Sequence, residues 1–250
     1  MNYLVGDIGN TFIKLSILND KFLIKKTYNF KTKKINNFLK KKNFLKKFTN
    51  QNIYKKILIS SVVPKALILI KKNLKKKGFN VLELKQLKIN KIIKIKVKNY
   101  KQLGSDRISN ALGSLKYDNS IIIDFGTATT FDIVKKGVYV GGVICPGINQ
   151  SIINLNKSTA LLPLISLKKR QNTYGKNTKE ALNAGFLWGY EGLINNIIKK
   201  ISLKDKRNYK IILTGGYAKL FKKYIKNKSI IDQNVTIKGV AEALKKLKWK

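Results

Sequence analysis

Short apolar blocks broken by glycine and polar turns run the length of this chain and predict a mixed α/β protein. Two blocks set the pattern. Leu4–Leu18 reads as strand, tight turn, strand: an apolar run into Asp7, then Ile8, Gly9, Asn10 and Thr11, then apolar residues again from Phe12. Ile121–Val134 does the same with Asp124, Phe125, Gly126 and a hydroxyl-rich turn, Thr127 to Thr130. Each hairpin puts a carboxylate at the tip of its first strand. The glycine lets a ligand approach the backbone, and the following N–H and hydroxyl groups suit phosphate. The plain alternative is two ordinary glycine turns. The shared order and spacing favour two related halves, 1–103 and 104–250, facing each other across a cleft.

The other elements fit this plan. Strands are predicted over Lys21–Phe30, Ile53–Val63 and Phe79–Leu84, with a helical face over Ile35–Phe48 and a helix over Ala66–Lys77 closed by Gly78. Asn90–Leu103 alternates apolar residues with lysines, which suits a strand or an extended linker. Gly104, Ser105, Asp106 and Arg107 then open a helix over Ile108–Tyr117, and Ser105 or Asp106 is a candidate N-cap.

In the second half, Gly137–Gly147 predicts a strand and a turn into a helix at Ile148, with Ser151–Leu162 helical and Ser166–Asn177 a polar loop. Asn177–Ile201 is the clearest helix, with Thr178 as N-cap. Gly185, Gly189 and Gly192 are costly inside a helix, roughly 1 kcal/mol each against alanine. They imply close approach of another element, in this chain or in a partner. Lys210–Gly216 is a strand, Lys219–Ile225 a helix, Ile230–Asp232 a short strand and Thr236–Lys248 a closing helix.

Composition narrows the chemistry. The 250 residues, 44% hydrophobic, can bury a substantial core. The formal charge is +41, yet of 53 basic residues only Arg107, Arg170 and Arg207 are arginine. The lysines are spread through almost every segment, so they do not form a built nucleic-acid patch, and salt should weaken any attraction to polyanions. The absence of histidine removes Ser-His-Asp and His-metal chemistry, and Cys145 alone forms no internal disulfide. No apolar run is long enough to span a membrane. These features fit a soluble cytoplasmic protein. What remains is Asp, Glu, Lys, Arg, hydroxyls and backbone amides, the groups of phosphoryl transfer.

Taken together, the motifs resemble the type III pantothenate kinases of the acetate and sugar kinase/Hsp70/actin superfamily. The matching pieces run from Asp7-Ile8-Gly9-Asn10-Thr11 with Lys14, through Ser60-Ser61-Val62-Val63-Pro64 and Gly104-Ser105-Asp106-Arg107, to Asp124-Phe125-Gly126-Thr127-Ala128-Thr129. They continue with Gly141-Gly142 and Pro146-Gly147, Asn177-Thr178 with Ala181 and Gly185, and Thr214-Gly215-Gly216. The resemblance implies two duplicated actin-like, ribonuclease H-like halves with mixed sheets around a central cleft. It implies transfer of the ATP γ-phosphate to the 4'-hydroxyl of pantothenate, the first step toward coenzyme A.

On that resemblance, Asp7, Ile8, Gly9, Asn10, Thr11, Phe12, Ile13 and Lys14 would cradle the phosphates of ATP with Mg2+, and Thr127 would also touch ATP. Asp106 would be the general base. Gly104, Ser105, Asp106, Arg107 and Thr178 would hold pantothenate. Asp124 would bind a monovalent cation, K+ or NH4+. A homodimer is implied, with no specific nucleic acid and no membrane. One departure stands out: the family's tyrosine and proline positions ahead of Gly104 carry Val97 and Tyr100. Either the aromatic wall of the substrate pocket is absent or Tyr100 supplies it. The competing readings are a non-enzymatic regulator on the same fold and a lysine-driven nucleic-acid binder.

Overall fold

The computed structural model describes residues 1–40, 48, 52–167 and 173–247. They fall into two compact units. The first comprises Met1–Asp118, Val134–Gly141 and Asn234–Lys250, and the second Asn119–Ile133 and Gly142–Gln233.

The first unit is built on β1 (Tyr3–Ile8), β2 (Phe12–Leu18), β3 (Ile24–Lys31), β4 (Lys56–Ser61) and β5 (Asn80–Glu83). Their order in the sheet is β3-β2-β1-β4-β5. β2 runs antiparallel to β1 and β3, while β4 runs parallel to β1 and β5. One face sends Leu4, Ile8, Ile13, Ile17, Ile57 and Ile59 into a core with α2 (Pro64–Lys75). Strand alternation therefore turns Val5, Asp7, Lys14, Leu58 and Ser60 to the opposite face. That face is covered by α3 (Ser105–Gly113), which packs on β4, and by the C-terminal helix α7 (Val235–Lys246), which packs on β1, β2 and β4. The two helices cross closely. A Cβ at Gly113 would run into the Val235 carbonyl, and one at Gly239 into the Ser109 carbonyl.

Several expectations shift at their edges. α2 begins at Pro64, whose fixed φ and missing N–H suit a first helical position. The turn after Lys75 closes at Gly78 with φ +77°, and Phe79 N–H reaches back to the Leu74 carbonyl. The face expected over 35–48 appears as α1 (Ile35–Lys40), and 41–47 lie outside the described residues. The 90–103 stretch is a linker, with single 3-10 turns at Ile89–Lys91 and Tyr100–Gln102. Its alternation ends in one bridge, Ile95 to Tyr139.

The second unit contains β6 (Asn119–Phe125), β9 (Lys210–Gly215) and β10 (Ser229–Ile231), with β7 (Ala128–Lys135) and β8 (Val138–Pro146) continuing to the Val134–Gly141 end grouped with the first unit. The sheet order is β10-β9-β6-β7-β8. Read from the far edge, 8-7-6-9-10 repeats 3-2-1-4-5, and the parallel β6–β9 pair repeats β1–β4. The core joins Ile121 and Phe131 to Ile152 of α4 (Ile148–Lys157), Leu187 and Ile194 of α5 (Thr178–Asp205), and Phe221 of α6 (Ala218–Phe221). α4 starts directly after Gly147, at the expected Ile148, and stops at Lys157, short of the expected Leu162. The duplicated α/β architecture expected from the two hairpins is present.

Candidate active site

At the tip of β1 the chain turns through Gly9, Asn10 and Thr11 into β2, closed by Gly9 N–H to the Phe12 carbonyl at 3.0 Å. Thr32 ties this turn down: its hydroxyl donates to the Gly9 carbonyl at 2.7 Å and its N–H to the Thr11 carbonyl at 3.0 Å. Ile8 and Ile13 anchor the hairpin in the core, while Asn10, Thr11 and Phe12 are exposed. Asp7 stands directly across from Lys14 on β2 and from Ser60 on β4. A row Lys14–Asp7–Ser60 thus crosses three adjacent strands on the face that carries α3 and α7.

α3 brings Asp106 to the same end of the sheet. β1, β4 and β5 are parallel, so their C-terminal ends share one edge. Glu83, the last residue of β5, pairs in register with Ile59, next to Ser60. Its carboxylate accepts from the Ser105 hydroxyl at 2.7 Å and from Lys85 N–H at 3.0 Å, and Gln86 caps its own N–H. The first residue of α3 is therefore fastened two strands from Asp7, a lateral separation of about 10 Å. Ligands of α/β sheets gather at such carboxyl ends.

Asp106 is not the helix cap. Gly104 holds the N-cap position, and the Asp106 Oδ1 accepts from Arg107 N–H at 2.8 Å in the first turn. Ser105 is not the cap either, because its hydroxyl is spent on Glu83. A Cβ at Gly104 would collide with that same Oδ1, so the folded-back carboxylate depends on glycine there. Burial pushes the Asp106 pKa above the ordinary carboxylate value and outweighs the opposing pull of the Arg107 N–H and guanidinium. Tyr100 is half-buried nearby, its pKa raised by burial and then by the Glu83 charge. Val97 is half-buried in the same linker.

In the second unit, Asp124, the penultimate residue of β6, stands in register with Thr214 of β9. The turn is closed by Gly126 N–H to the Ala128 carbonyl at 3.1 Å, leaving Thr127 exposed. Glycines press on it from two sides. A Cβ at Gly147 would strike the Thr127 carbonyl. One at Gly215, where φ is +85°, would lie 2.6 Å from both Asp124 Oδ1 and the Phe125 carbonyl oxygen. Those two oxygens therefore border one small space, and carboxylate and carbonyl oxygens are ligands a monovalent cation accepts. Thr178 is the exposed first residue of α5, and the N-cap is Asn177, whose side chain accepts from Glu180 N–H at 3.0 Å.

Asp7, Lys14, Gly104, Ser105, Asp106 and Arg107 thus lie in the first unit, and Asp124, Thr127 and Thr178 in the second. Glu83 escaped the sequence reading, since a glutamate ending a strand carries no motif. Its role is visible only from its bond to Ser105. For a divalent ion, the described residues hold no cluster of three or more acidic, Cys or His side chains. Mg2+ fits nonetheless, because it commonly uses one or two carboxylates together with substrate phosphates and water. Asp7, in register with Lys14 at the β1–β2 turn, could supply such a carboxylate.

A family model for type III pantothenate kinase matches residues 3–200. The type III pantothenate kinase of Pelagibacter ubique (strain HTCC1062) is 47% identical over 242 residues, covering 96% of this chain and 97% of that one. That of Sulfurihydrogenibium sp. (strain YO3AOP1) is 38% identical over 249 residues, covering 95% and 97%. Among solved structures, a Campylobacter jejuni chain described as a Baf family transcriptional activator superposes with a TM-score of 0.63 at 20% identity, covering 98% of each chain. The activator of 2-hydroxyisocaproyl-CoA dehydratase from Clostridium difficile, with bound ADPNP, gives 0.52 at 15%, covering 99% and 97%. At those identities the likeness is one of fold, the duplicated actin-like architecture.

Proposed function

The chain belongs to the type III pantothenate kinase family, whose members are phosphotransferases of coenzyme A biosynthesis, and we propose from that premise which of its residues perform the transfer. ATP and a divalent ion go with the family's reaction. The observation that carries the assignment is Asp106: a half-buried carboxylate of raised pKa, fastened through Ser105 and Glu83 at the sheet edge where Asp7 stands.

The β1–β2 turn, Asp7 through Lys14, binds the phosphates of ATP. Its N–H groups and hydroxyls meet phosphate oxygens, and Lys14 offsets their charge. Asp7 would hold Mg2+, which when bound neutralises charge on the transferring phosphoryl group. Thr127 adds a hydroxyl contact to ATP. Gly104, Ser105, Arg107 and Thr178 position pantothenate, with Arg107 facing its carboxylate. Asp106 Oδ1 is occupied by Arg107 N–H, which leaves Oδ2 to take the proton of the attacking hydroxyl. A carboxylate suffices, because that proton leaves late in a loose transition state. Holding the hydroxyl in line with the γ-phosphorus is most of the work.

Asp124 Oδ1 and the Phe125 carbonyl would hold K+ or NH4+. We place a second copy of the chain on the open side of α5. A Cβ added at Gly185, Gly189 or Gly192 would meet nothing within 4 Å, and Trp188 beside them is 44% exposed. Tyr100 supplies the aromatic contact that Val97 lacks. No helix among the described residues is long and apolar enough to cross a membrane, and we place the protein in the cytoplasm. The test is a coupled assay with Mg·ATP. Turnover should require pantothenate, should yield a phosphorylated product by mass spectrometry and should rise with K+. ATP consumption indifferent to pantothenate would refute the assignment.

A further inference from the structure

Ser60 is wholly buried, and its Oγ has no hydrogen-bond partner. Leaving a hydroxyl so placed costs about 1–3 kcal/mol, which alanine would avoid. Its neighbour Ser61 shows the ordinary alternative, exchanging hydrogen bonds with the Val63 backbone. What distinguishes Ser60 is its position. It stands in parallel register with Asp7, one strand spacing of about 4.8 Å away, with both side chains on the same face.

The duplicated second sheet repeats the pairing. Thr214 on β9 stands in register with Asp124 on β6 and is 2% exposed. Thr129, in the same hairpin as Asp124, is likewise wholly buried with an unpartnered Oγ1. Accidental packing defects would be scattered through the cores. Apart from Arg207 Nε, the buried side-chain atoms without a partner among the described residues adjoin the two carboxylate hairpins, Ser60 Oγ and Thr129 Oγ1 among them, where polar groups kept unsatisfied in the fold commonly serve function.

We propose that Ser60 is a positioning residue for Asp7: with nucleotide and its divalent ion bound, Ser60 Oγ–H donates to the Asp7 carboxylate and fixes its orientation. The inference rests on the assignment of Asp7 made above. A bond to a charged acceptor then offsets the burial cost carried by the ligand-free sheet, so part of the affinity for nucleotide is held in reserve in β4.

The test combines calorimetric Mg·ATP binding with ligand-free melting for the wild type, Ser60→Ala, Ser60→Thr, Asp7→Asn and the Ser60→Ala/Asp7→Asn double variant. Ser60→Ala should melt no lower than the wild type, yet bind Mg·ATP about tenfold more weakly. Ser60→Thr, which keeps the hydroxyl, should bind within about twofold of the wild type. In the Asp7→Asn background the Ser60→Ala change should add less than about twofold, because the two residues act as one unit. A marked drop in the Ser60→Ala melting temperature would make the hydroxyl a structural group and overturn the proposal. Equal weakening in both backgrounds would mean that Ser60 acts on nucleotide independently of Asp7, which also overturns it. If Asp7→Asn weakens binding and Ser60→Ala does not, this proposal fails while the assignment of Asp7 stands. If Asp7→Asn itself leaves binding unchanged, that assignment fails and takes the proposal with it.

Discussion

The hairpins that carry Asp7 and Asp124 are built alike and held differently. Both end a strand that has an antiparallel partner on one side and a parallel partner on the other, and both turn through a glycine. The first is held by side chains: Thr32 fastens its turn, and Lys14 stands opposite its carboxylate. The second is held by backbone, with Gly147 and Gly215 pressed against it where no Cβ fits. A side-chain cation can give way as a triphosphate arrives. A backbone cradle offers fixed oxygens and suits an ion of set size. On the proposed assignments, one duplicated motif serves as a phosphate turn in one unit and as an ion site in the other.

That contrast breaks most readily at the glycines. Gly147→Ala forces a Cβ onto a carbonyl that cannot move freely and should cost about 3 kcal/mol in chemical denaturation. Gly9→Ala meets only the Phe12 carbonyl, at 3.2 Å, and should cost about 1 kcal/mol or less. Similar costs at both positions would erase the distinction.

Function should separate the hairpins next. Lys14→Met removes a charge-assisted contact and should weaken ATP binding by about 10–100-fold while leaving K+ activation intact. Asp124→Asn should do the reverse, shifting the K+ activation constant by at least about tenfold, since even outer-shell changes at ion sites cost that much. Titrations of ATP and KCl against initial rate read both effects.

The smallest effect comes from protons. Because burial raises the Asp106 pKa, the acid limb of kcat/KM should lie above the ordinary aspartate value of about 3.9. A carboxyl raised on folding contributes stability that is fully present below its unfolded pKa and is lost as pH rises through the folded value. At neutral pH Asp106→Asn should therefore melt no lower than the wild type, and its advantage should shrink as the pH falls.

The hairpins were legible in the sequence because a strand, an acid and a glycine in fixed order leave little conformational choice. The matching sheet orders followed from the same repetition. Helix caps were less legible. Asn177 and Thr178 are both good caps by type, as are Ser105 and Asp106, and neighbouring geometry decided each case. The 90–103 stretch alternates like a strand, but among the described residues only Tyr139 offers it a strand-like partner. Long-range placement was hidden altogether. Nothing local says that α7 returns to the first sheet to pack on α3, or that Glu83 fastens Ser105. Such contacts join residues whose sequence neighbourhoods carry no trace of one another.

The central claim is that Asp106 takes the proton of the attacking hydroxyl. The most direct measurement is single-turnover phosphoryl transfer from Mg·ATP to pantothenate by Asp106→Asn, with ATP affinity measured in parallel. The account predicts a rate lower by about 10²–10⁴-fold with ATP affinity and melting temperature preserved. A variant that transfers phosphate at near the wild-type rate would contradict it.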